Sequence, residues 1–435
     1  MTSTLRSTLL FVAVAIAYLL VGILQSWTLA LTILNDALIV AIAALGVNMI
    51  WGYAGLFNIG VAGFFALGGL AVVLVSKPVD AAAWSAGTPR ILLALLLAAL
   101  VIYAAARLWR AMAPGLPRTI ATIVLLAAGF VIFRLVYDPA VEAVEALTPS
   151  STGNIGGLGL PVPFSWIAGG ILAAGVAWIV AKTALGLRSD YLAIATLGIG
   201  QIVVAVMMSE DWLDRGVKNI TDIGRWPVPT AVELQRAQWF VDLQQSLGLE
   251  LRTASTLFVG VCFAVLFTAV LLFVLVLAEL SLKSPWGRMM RAIRDNEVAA
   301  EAMGKDVTHR HMQVFVLGSA VIGVAGTLFV TLHGLLSPVS YNDPLRFTFL
   351  IWAMVILGGS GNNWGAILGA LIVMLLWDEA ESIGPTVLAV IAAPLSDGAF
   401  KQHLIDSAVH MRLPIIGIVL LLVLRFSPRG LLPER

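Results

Sequence analysis

The residues that could carry chemistry are few, and they form no known catalytic pattern. The chain has no G-x-x-x-x-G-K-[ST] phosphate loop, no H-E-x-x-H pair and no G-x-S-x-G nucleophile. Cys262 is the single cysteine, which excludes a disulfide framework and a thiolate metal site. The histidines lie near the ends of apolar runs or in loops, at His309, His311, His333, His403 and His410. The sequence therefore predicts a protein that is not an enzyme and has no metal or cofactor of its own.

The densest charge lies in the loop 283–311, which interrupts the apolar runs. Ser284 followed by Pro285 is typical of a helix start, because the hydroxyl caps free N–H groups and proline suits the first helical position. Asp295-Asn296 can cap a second short helix from Glu297 to Met303, and Gly304 stands where a helix ends in a left-handed residue. Two short helices between membrane spans favour a docking surface, with a solvated loop as the alternative.

The composition places these residues in a membrane. Hydrophobic residues make up 60% of the 435 residues and charged residues only 12%. Because soluble domains carry roughly 25% charged residues, we expect an all-α polytopic membrane protein. The net charge of +1 does not favour nucleic acid as a partner. The chain reads as a single transmembrane domain over residues 1–435.

Apolar runs set the expected helices, since a helix needs about 20 apolar residues to cross the hydrocarbon core. We expect spans near 7–25, 27–50, 54–76, 90–108, 119–136, 161–183, 190–208, 255–279, 312–333, 346–358, 364–377 and 413–425. This corresponds to about 10–12 transmembrane helices, some of them short or broken. Most Lys and Arg residues then fall on the cytoplasmic side if both termini are cytoplasmic. The segments 209–254 and 378–412 become external loops, and 283–311 becomes a cytoplasmic loop.

Glycine-rich segments interrupt two of these runs, at 51–55 and at 358–365. Irregular backbone at membrane depth is tolerated where it is buried in protein or lines a cavity, and paired breaks are typical of a transport path. Tight packing through small residues is the alternative. Polar or amphipathic residues near the breaks are candidates for the path, namely Asn48, Trp51, Tyr53, Asn58, Thr196 and Gln201. Asn48 and Thr196 could equally form hydrogen bonds between helices.

Ionisable residues inside the spans are scarce, and Asp36 is the main one. It lies near the outer end of the second span, where we favour a position at the membrane interface over an aqueous vestibule. A proton- or sodium-coupled carrier usually needs carboxylates within the membrane. Their scarcity favours an energy source outside the spans, and the loop 283–311 is the natural point of entry.

Several stretches resemble one known family, in the same order along the chain. They are ALGVNMIWGYAGL at 44–56, RSDYLAIATLG at 188–198, the loop 284–307, LGGSGNNWG at 357–365 and PRGLL at 428–432. The chain is similar to the membrane subunits of ABC importers for branched-chain amino acids, and specifically to the longer of the two permease types. Residues 85–155 depart from the family pattern, because they add two apolar runs that we interpret as a two-helix insertion.

The resemblance implies an ABC importer permease fold and a division of labour. The loop 283–311 would couple the permease to cytoplasmic ABC ATPase subunits, which bind the ATP. The coupling residues implied are Arg291, Arg294, Glu297, Ala300, Glu301 and Gly304. A second permease subunit would complete a heterodimer in the cell (inner) membrane, among its lipids, and a periplasmic or tethered solute-binding protein would deliver the substrate.

The substrate class implied is branched-chain or related hydrophobic amino acids. A urea or short-amide ABC permease shares the same motifs and is an alternative. Two functions outside the class of ABC importers are further alternatives. The first is an ion-coupled secondary carrier or channel, and the second is a membrane scaffold without transport.

Overall fold

A computed structural model describes residues 3–147, 154–393, 398, 402 and 411–434 of the chain. Positions 403–410 of the expected loop 378–412, with His403 and His410, lie outside the described residues. The α-helices, numbered in chain order, are α1 (Ser3–Leu24), α2 (Trp27–Asn48), α3 (Val61–Ser76), α4 (Ala81–Ala86), α5 (Thr88–Ala111), α6 (Leu116–Glu145), α7 (Val162–Ala184), α8 (Ser189–Ser209), α9 (Asp211–Asp214), α10 (Ala231–Arg236), α11 (Gln238–Leu247), α12 (Leu251–Lys283), α13 (Pro285–Asp295), α14 (Glu297–Ala302), α15 (Val307–His333), α16 (Leu350–Gly358), α17 (Asn363–Ala392) and α18 (Arg412–Phe426). Two π-helical turns, Met49–Tyr53 and Leu345–Phe349, and a 3₁₀ turn, Pro338–Tyr341, complete the described elements.

The expectation of an all-α polytopic membrane protein is confirmed. Among the described residues, eight helices are long and apolar enough to cross a membrane, and two shorter apolar helical segments lie at Val61–Ser76 and Leu345–Gly358. Each helix satisfies its own backbone hydrogen bonds, which is why long apolar runs adopt this structure in lipid. The helices lie close to the spans expected from the apolar runs.

Helix α2 forms the centre of the bundle. Almost every residue of its second half is buried, and it packs against α1, α12, α15, α16 and α17. A helix that is apolar on all sides is typical of such a central position. Beside it, α3, α7 and α15 approach closely through small residues, and a Cβ on Gly68 would collide with the carbonyl of Gly323. This close approach is the small-residue packing that membrane helices use.

The two extra apolar runs of segment 85–155 form α5 and α6, which pack mainly against each other. Both expose most of their surface to the surroundings. The pair joins the rest of the bundle at one end, where the indole Nε1 of Trp212 donates to the hydroxyl of Tyr137 (2.7 Å) and to Glu210 Oε2 (2.6 Å). The hairpin therefore stands at the side of the bundle and leaves the central packing intact.

Three expected boundaries differ from the structure by more than five residues. Helix α6 continues to Glu145, beyond the expected end at 136. The third span begins at Val61, because residues 55–60 after the first break have no regular structure. Helix α17 continues to Ala392, beyond the expected end at 377. The expected span ends at 377 because the acids Asp378 and Glu379 follow. In the structure, Gln25 Nε2 donates to Glu379 Oε2 at 2.7 Å. A charge with a partner does not end a helix, and residues 380–392 contain strong helix formers.

The bundle has two ends. We name the end that carries the loop 283–311 the loop face, and the other end the opposite face. At the loop face α12 ends, α13 and α14 follow, and α15 begins. The first turns of α1 and the end of α18 also meet there, since Arg6 Nη2 donates to Ser427 Oγ at 3.3 Å. The described beginning and end of the chain therefore lie on the same face.

Candidate functional site

Helices α13 and α14 form a compact unit on the loop face. Ser284 caps α13 by accepting a hydrogen bond from Gly287 N (3.3 Å), and Asn296 caps α14 by accepting from Ala299 N (3.0 Å). Gly304 follows α14 with φ +75°, a conformation that favours glycine. These three observations confirm the helix start, the second cap and the left-handed end expected from the sequence.

The unit has a buried side and an exposed side. Met290 and Ile293 of α13 are buried against the bundle. Val298 and Met303 are 76% and 79% exposed, and the charged residues beside them are exposed as well. Ala300, expected among the coupling residues, is only 8% exposed. It therefore packs α14 against the bundle, and the exposed surface is formed by neighbouring residues such as Val298 and Met303.

Arg294 extends from the end of α13 into the bundle. Its Nη1 donates to the carbonyl of Gly52 in the first break and lies 2.9 Å from Glu434 Oε2 near the chain's end. Arg294 was expected among the coupling residues, and its role towards an ATPase stays a prediction. Its charge is used within the chain, whereas Arg291, one turn earlier, lies 3.5 Å from the carbonyl of Leu282.

Asn363 joins the two breaks through a buried hydrogen-bond network. Its Oδ1 accepts from Asn48 Nδ2 (3.0 Å) and from the Tyr53 hydroxyl. Its Nδ2 donates to Glu279 Oε1 at 3.1 Å, and Asn48 Oδ1 accepts from Gly361 N at 2.8 Å. Polar groups without water nearby are costly unless they are paired. This network therefore fixes the second break against α2 and α12.

The second break has this shape because glycines allow it. Gly359 and Gly361 have φ of +115° and +81°, values that side chains rarely tolerate. A Cβ on Gly361 would lie 2.6 Å from Glu434 Oε2, so the pair formed by Glu434 and Arg294 needs a glycine at this position. Asn362 then caps α17 by accepting from Trp364 N (3.0 Å) and Gly365 N (3.3 Å).

The segment 427–434, which we name the C-terminal tail, forms backbone hydrogen bonds with the end of α16, where the second break begins. Leu431 N donates to Leu357 O (2.9 Å), and Leu432 N donates to Gly358 O (2.8 Å). Sequence reasoning did not identify Glu434 as a site residue. The signal that could have found it is the PRGLL stretch, which ends two positions before Glu434.

Four of the residues expected to line a path are buried within the chain. Asn48 and Tyr53 belong to the network around Asn363. Thr196 Oγ1 donates to Ala193 O (2.9 Å) and accepts from Ile59 N (3.0 Å), so it links α8 to the irregular segment before α3. Asn58 is buried as well, and its carbonyl accepts from Trp352 Nε1 at 2.9 Å. The contact of Asn48 with Asn363 matches the alternative of hydrogen bonds between helices, whereas Thr196 ties a helix to an irregular segment.

The other two expected path residues, Trp51 and Gln201, are partly exposed. The ring of Trp51 lies 4.8 Å from the ring of Trp352 and 6.2 Å from that of Phe57, measured between centroids. The first break therefore presents an aromatic cluster at a surface of this chain, directly beside the contact between Arg294 and Gly52.

Asp36 lies inside the bundle near the opposite face. Its side chain is 14% exposed, and its Oδ1 lies 3.2 Å from Nε2 of His333. The contact joins α2 to α15. Asp36 is thus packed between helices near one end of the bundle, and its position at the membrane interface stays a prediction.

The chain matches a family model over most of its length and known proteins over part of it. A family model described as "Branched-chain amino acid transport system / permease component" matches residues 29–152 and 140–424. The high-affinity branched-chain amino acid transport system permease protein LivM of Escherichia coli (strain K12) is 29% identical over 47% of this chain and 48% of its own length. A probable branched-chain amino acid transport permease protein LivM of Methanocaldococcus jannaschii is 29% identical over 39% of this chain and 46% of its own length.

The fructose import permease protein FrcC of Rhizobium meliloti is 27% identical over 35% of this chain and 45% of its own length. The chain thus spans about half the length of the curated relatives that it matches. No solved structure matches the chain. Because the family model covers well over half of the residues, the chain belongs to the family of branched-chain amino acid transport permeases.

Proposed function

We propose that this protein is the membrane-spanning permease subunit of an ATP-driven ABC importer, folded as a single transmembrane domain. Its substrates are branched-chain or related hydrophobic amino acids, delivered by a solute-binding protein. Separate ATPase subunits bind and hydrolyse the ATP, and a second permease completes a heterodimer. The loop face is cytoplasmic in the cell (inner) membrane, and both termini lie on that side.

The observation that carries this proposal is the connection made by Arg294. A soluble ATPase can act on the transport path only through a rigid element that contacts both the ATPase and the breaks. Helix α13 contacts the first break through the Gly52 carbonyl and the second through Glu434, beside Gly361. A displacement of α13 therefore moves both breaks together.

The exposed surface of α14 fits a docking site for the ATPase. It presents two large apolar side chains, Val298 and Met303, with Glu297 and Glu301 beside them. Apolar anchors with a polar rim are typical of protein interfaces. Ala300 fixes α14 to the bundle from the buried side, so that a force on the surface reaches α13.

The breaks can respond because their backbone has alternatives to a regular helix. Gly55, Gly359 and Gly361 all have positive φ, and such residues absorb large changes in backbone angles at hinges. Trp51 and Gln201, which are partly exposed, would line a path between two permease chains. Asn48, Tyr53, Asn58 and Thr196 would position the helices around it.

Co-purification tests the docking surface. We expect the Glu301→Arg variant, and likewise Gly304→Pro, to insert in the membrane but lose the ATPase during purification from the native host. Asp242→Arg is the matched control, since Asp242 is an exposed acid on α11 near the opposite face. Undiminished recovery of the ATPase with Glu301→Arg would contradict the docking surface.

Transport by the purified chain tests the importer itself. We expect no leucine uptake by proteoliposomes that contain this chain alone, and ATP-dependent uptake after the co-purified subunits and the binding protein are added. Uptake by the chain alone that collapses with the proton gradient would instead establish an ion-coupled carrier. Competition by urea or acetamide against leucine would identify the short-amide alternative.

A further inference from the structure

Two neighbouring cavities open at the loop face. The larger has a volume of about 940 Å³ and lies between the first turns of α1, the end of α12 and the start of α17. The smaller, of about 580 Å³, lies between the end of α13 and the C-terminal tail. Arg291 and Glu434 line both cavities and separate them.

The cavities are lined by more cations than acids. Arg6, Lys283 and Arg291 line the larger cavity, and Arg294 and Arg429 add to the smaller one. Lys283 lies 3.6 Å from Glu279 and has a side chain that is 77% exposed, so it is accessible to a ligand.

The acids of these cavities already have partners in the chain. Glu279 accepts from Asn363 Nδ2 at 3.1 Å, whereas Glu434 and Asp295 lie 2.9 Å and 3.4 Å from Arg294. Arg6 and Arg291, by contrast, contact a hydroxyl and a carbonyl in the described residues. The cavities thus offer positive charge to a further ligand.

One wall of the larger cavity is apolar and continues into the lipid-facing surface. Phe11 and Val12 of α1 form part of it, and α1 exposes apolar residues along its length. Trp364, 47% exposed, stands at the same wall with its ring centroid 6.0 Å from that of Phe11. A ligand here would meet cations at one end and a hydrocarbon surface at the other.

We propose that the larger cavity binds an anionic phospholipid from the adjacent leaflet. The phosphate group contacts Arg6, Lys283 and Arg291, and the first acyl carbons lie against Phe11 and Trp364. Basic pockets between membrane helices on the cytoplasmic side are suited to anionic headgroups. A soluble protein subunit fits this cavity poorly, because one wall is formed by a helix that faces lipid.

The site connects the surrounding lipid to the coupling elements. Arg291 belongs to α13, and Glu279 of the same cavity holds Asn363. An anionic lipid that orders Arg291 and Lys283 therefore stabilises one position of α13 relative to α12. This inference needs neither the ATPase nor an amino acid substrate, so it stands or fails separately from the proposed function.

Native mass spectrometry of the purified chain tests the site. We expect dioleoyl phosphatidylglycerol to bind more tightly than dioleoyl phosphatidylcholine. Removal of one cation should weaken phosphatidylglycerol binding about fivefold, and the double variant Arg6→Gln/Lys283→Gln about thirtyfold. Arg288→Gln is the matched control, because Arg288 is exposed on α13 but lines neither cavity. Equal binding of the two lipids, or an equal loss in the control, would overturn the proposal.

A second measurement locates the lipid. We expect phosphatidylglycerol with brominated acyl chains to quench the fluorescence of Trp364, detected as the difference between the wild-type chain and Trp364→Phe. No difference in quenching would place the lipid elsewhere and overturn the assignment. Competition by millimolar inorganic phosphate as strong as that by the lipid would mean that the cavity takes a free anion, which also overturns it.

Discussion

Asn363 is the residue whose removal should be most damaging, because it is the common partner of three elements. Its Oδ1 is the acceptor for Asn48 of α2 and for Tyr53 of the first break, and its Nδ2 donates to Glu279 of α12. All three contacts depend on one amide. The variant Asn363→Ala removes that amide and leaves its partners in a buried site without a replacement.

The size of the effect follows from the number of groups left without a partner. Asn48 Nδ2 and the Tyr53 hydroxyl are buried donors, and each costs about 1–3 kcal/mol when it loses its partner. The free energy of unfolding should therefore fall by about 4 kcal/mol. Asn362→Ala is the matched control, since Asn362 is the neighbouring amide, which caps α17 and donates to the carbonyl of Pro433 at 3.3 Å but forms no hydrogen bond with α2 or α12 among the described residues. Loss of a cap costs about 1 kcal/mol.

Thermal unfolding in detergent measures both variants. Cys262 is the single cysteine and is partly buried in α12, so a fluorogenic maleimide reports when the bundle opens. We expect the midpoint of labelling to fall several times further for Asn363→Ala than for Asn362→Ala. Equal shifts would refute the reasoning, because they would show that the amide of Asn363 serves only the helix start.

Three further predictions concern the coupling elements and the opposite face. Gly361→Ala should destabilise the protein by about 1–3 kcal/mol, because Gly361 has a positive φ. Gly417→Ala should be nearly neutral in the same assay, because a Cβ on Gly417 would meet open space. Equal effects would contradict the strain assigned to position 361. Glu434→Gln should lower leucine uptake per ATP hydrolysed about tenfold while the ATPase stays bound, because it removes a charge-assisted contact of about 1.5 kcal/mol to Arg294. An unchanged ratio of uptake to hydrolysis would exclude a role of Glu434 in coupling. Burial raises the pKa of Asp214 from 3.8 to about 8, so the folded protein holds a proton that the unfolded chain releases. Stability should therefore fall as the pH rises from about 4 to about 8, and Asp214→Asn should flatten that slope in unfolding measurements made across this range; an identical slope would contradict the assignment.

The helices could be predicted from the sequence because their cause is local. A run of about 20 apolar residues becomes a membrane helix whatever its neighbours are. The caps of α13 and α14 were predictable for the same reason, since Ser284 and Asn296 act on N–H groups within three positions of themselves. The end of α17 was not, because the partner that accommodates Glu379 is Gln25, far away in the chain.

The candidate site was predictable only in part, because its contacts connect distant segments. The sequence indicated both breaks and the loop between α12 and α15. It did not show that Arg294 reaches Gly52 or that Glu434 lies beside Gly361, since neither pair has a spacing that a local rule detects. From the sequence, Thr196 could either line a path or form a hydrogen bond between helices. Its contact with Ile59 favours the structural role, because it ties α8 to the irregular segment before α3.

Under the proposed function, the position of α2 assigns the network at Asn48 a role in switching. Asp36 and Asn48 lie 12 positions apart on this helix, which places them roughly 18 Å apart along its axis. Asp36 holds α2 to α15 near the opposite face, and Asn48 holds it to α17 near the loop face. A buried, apolar helix held at two points by polar contacts cannot slide without breaking one of them. Alternate opening of the two faces would then require that the contacts at Asn48 and at Asp36 be released in turn, and only the first lies within reach of α13.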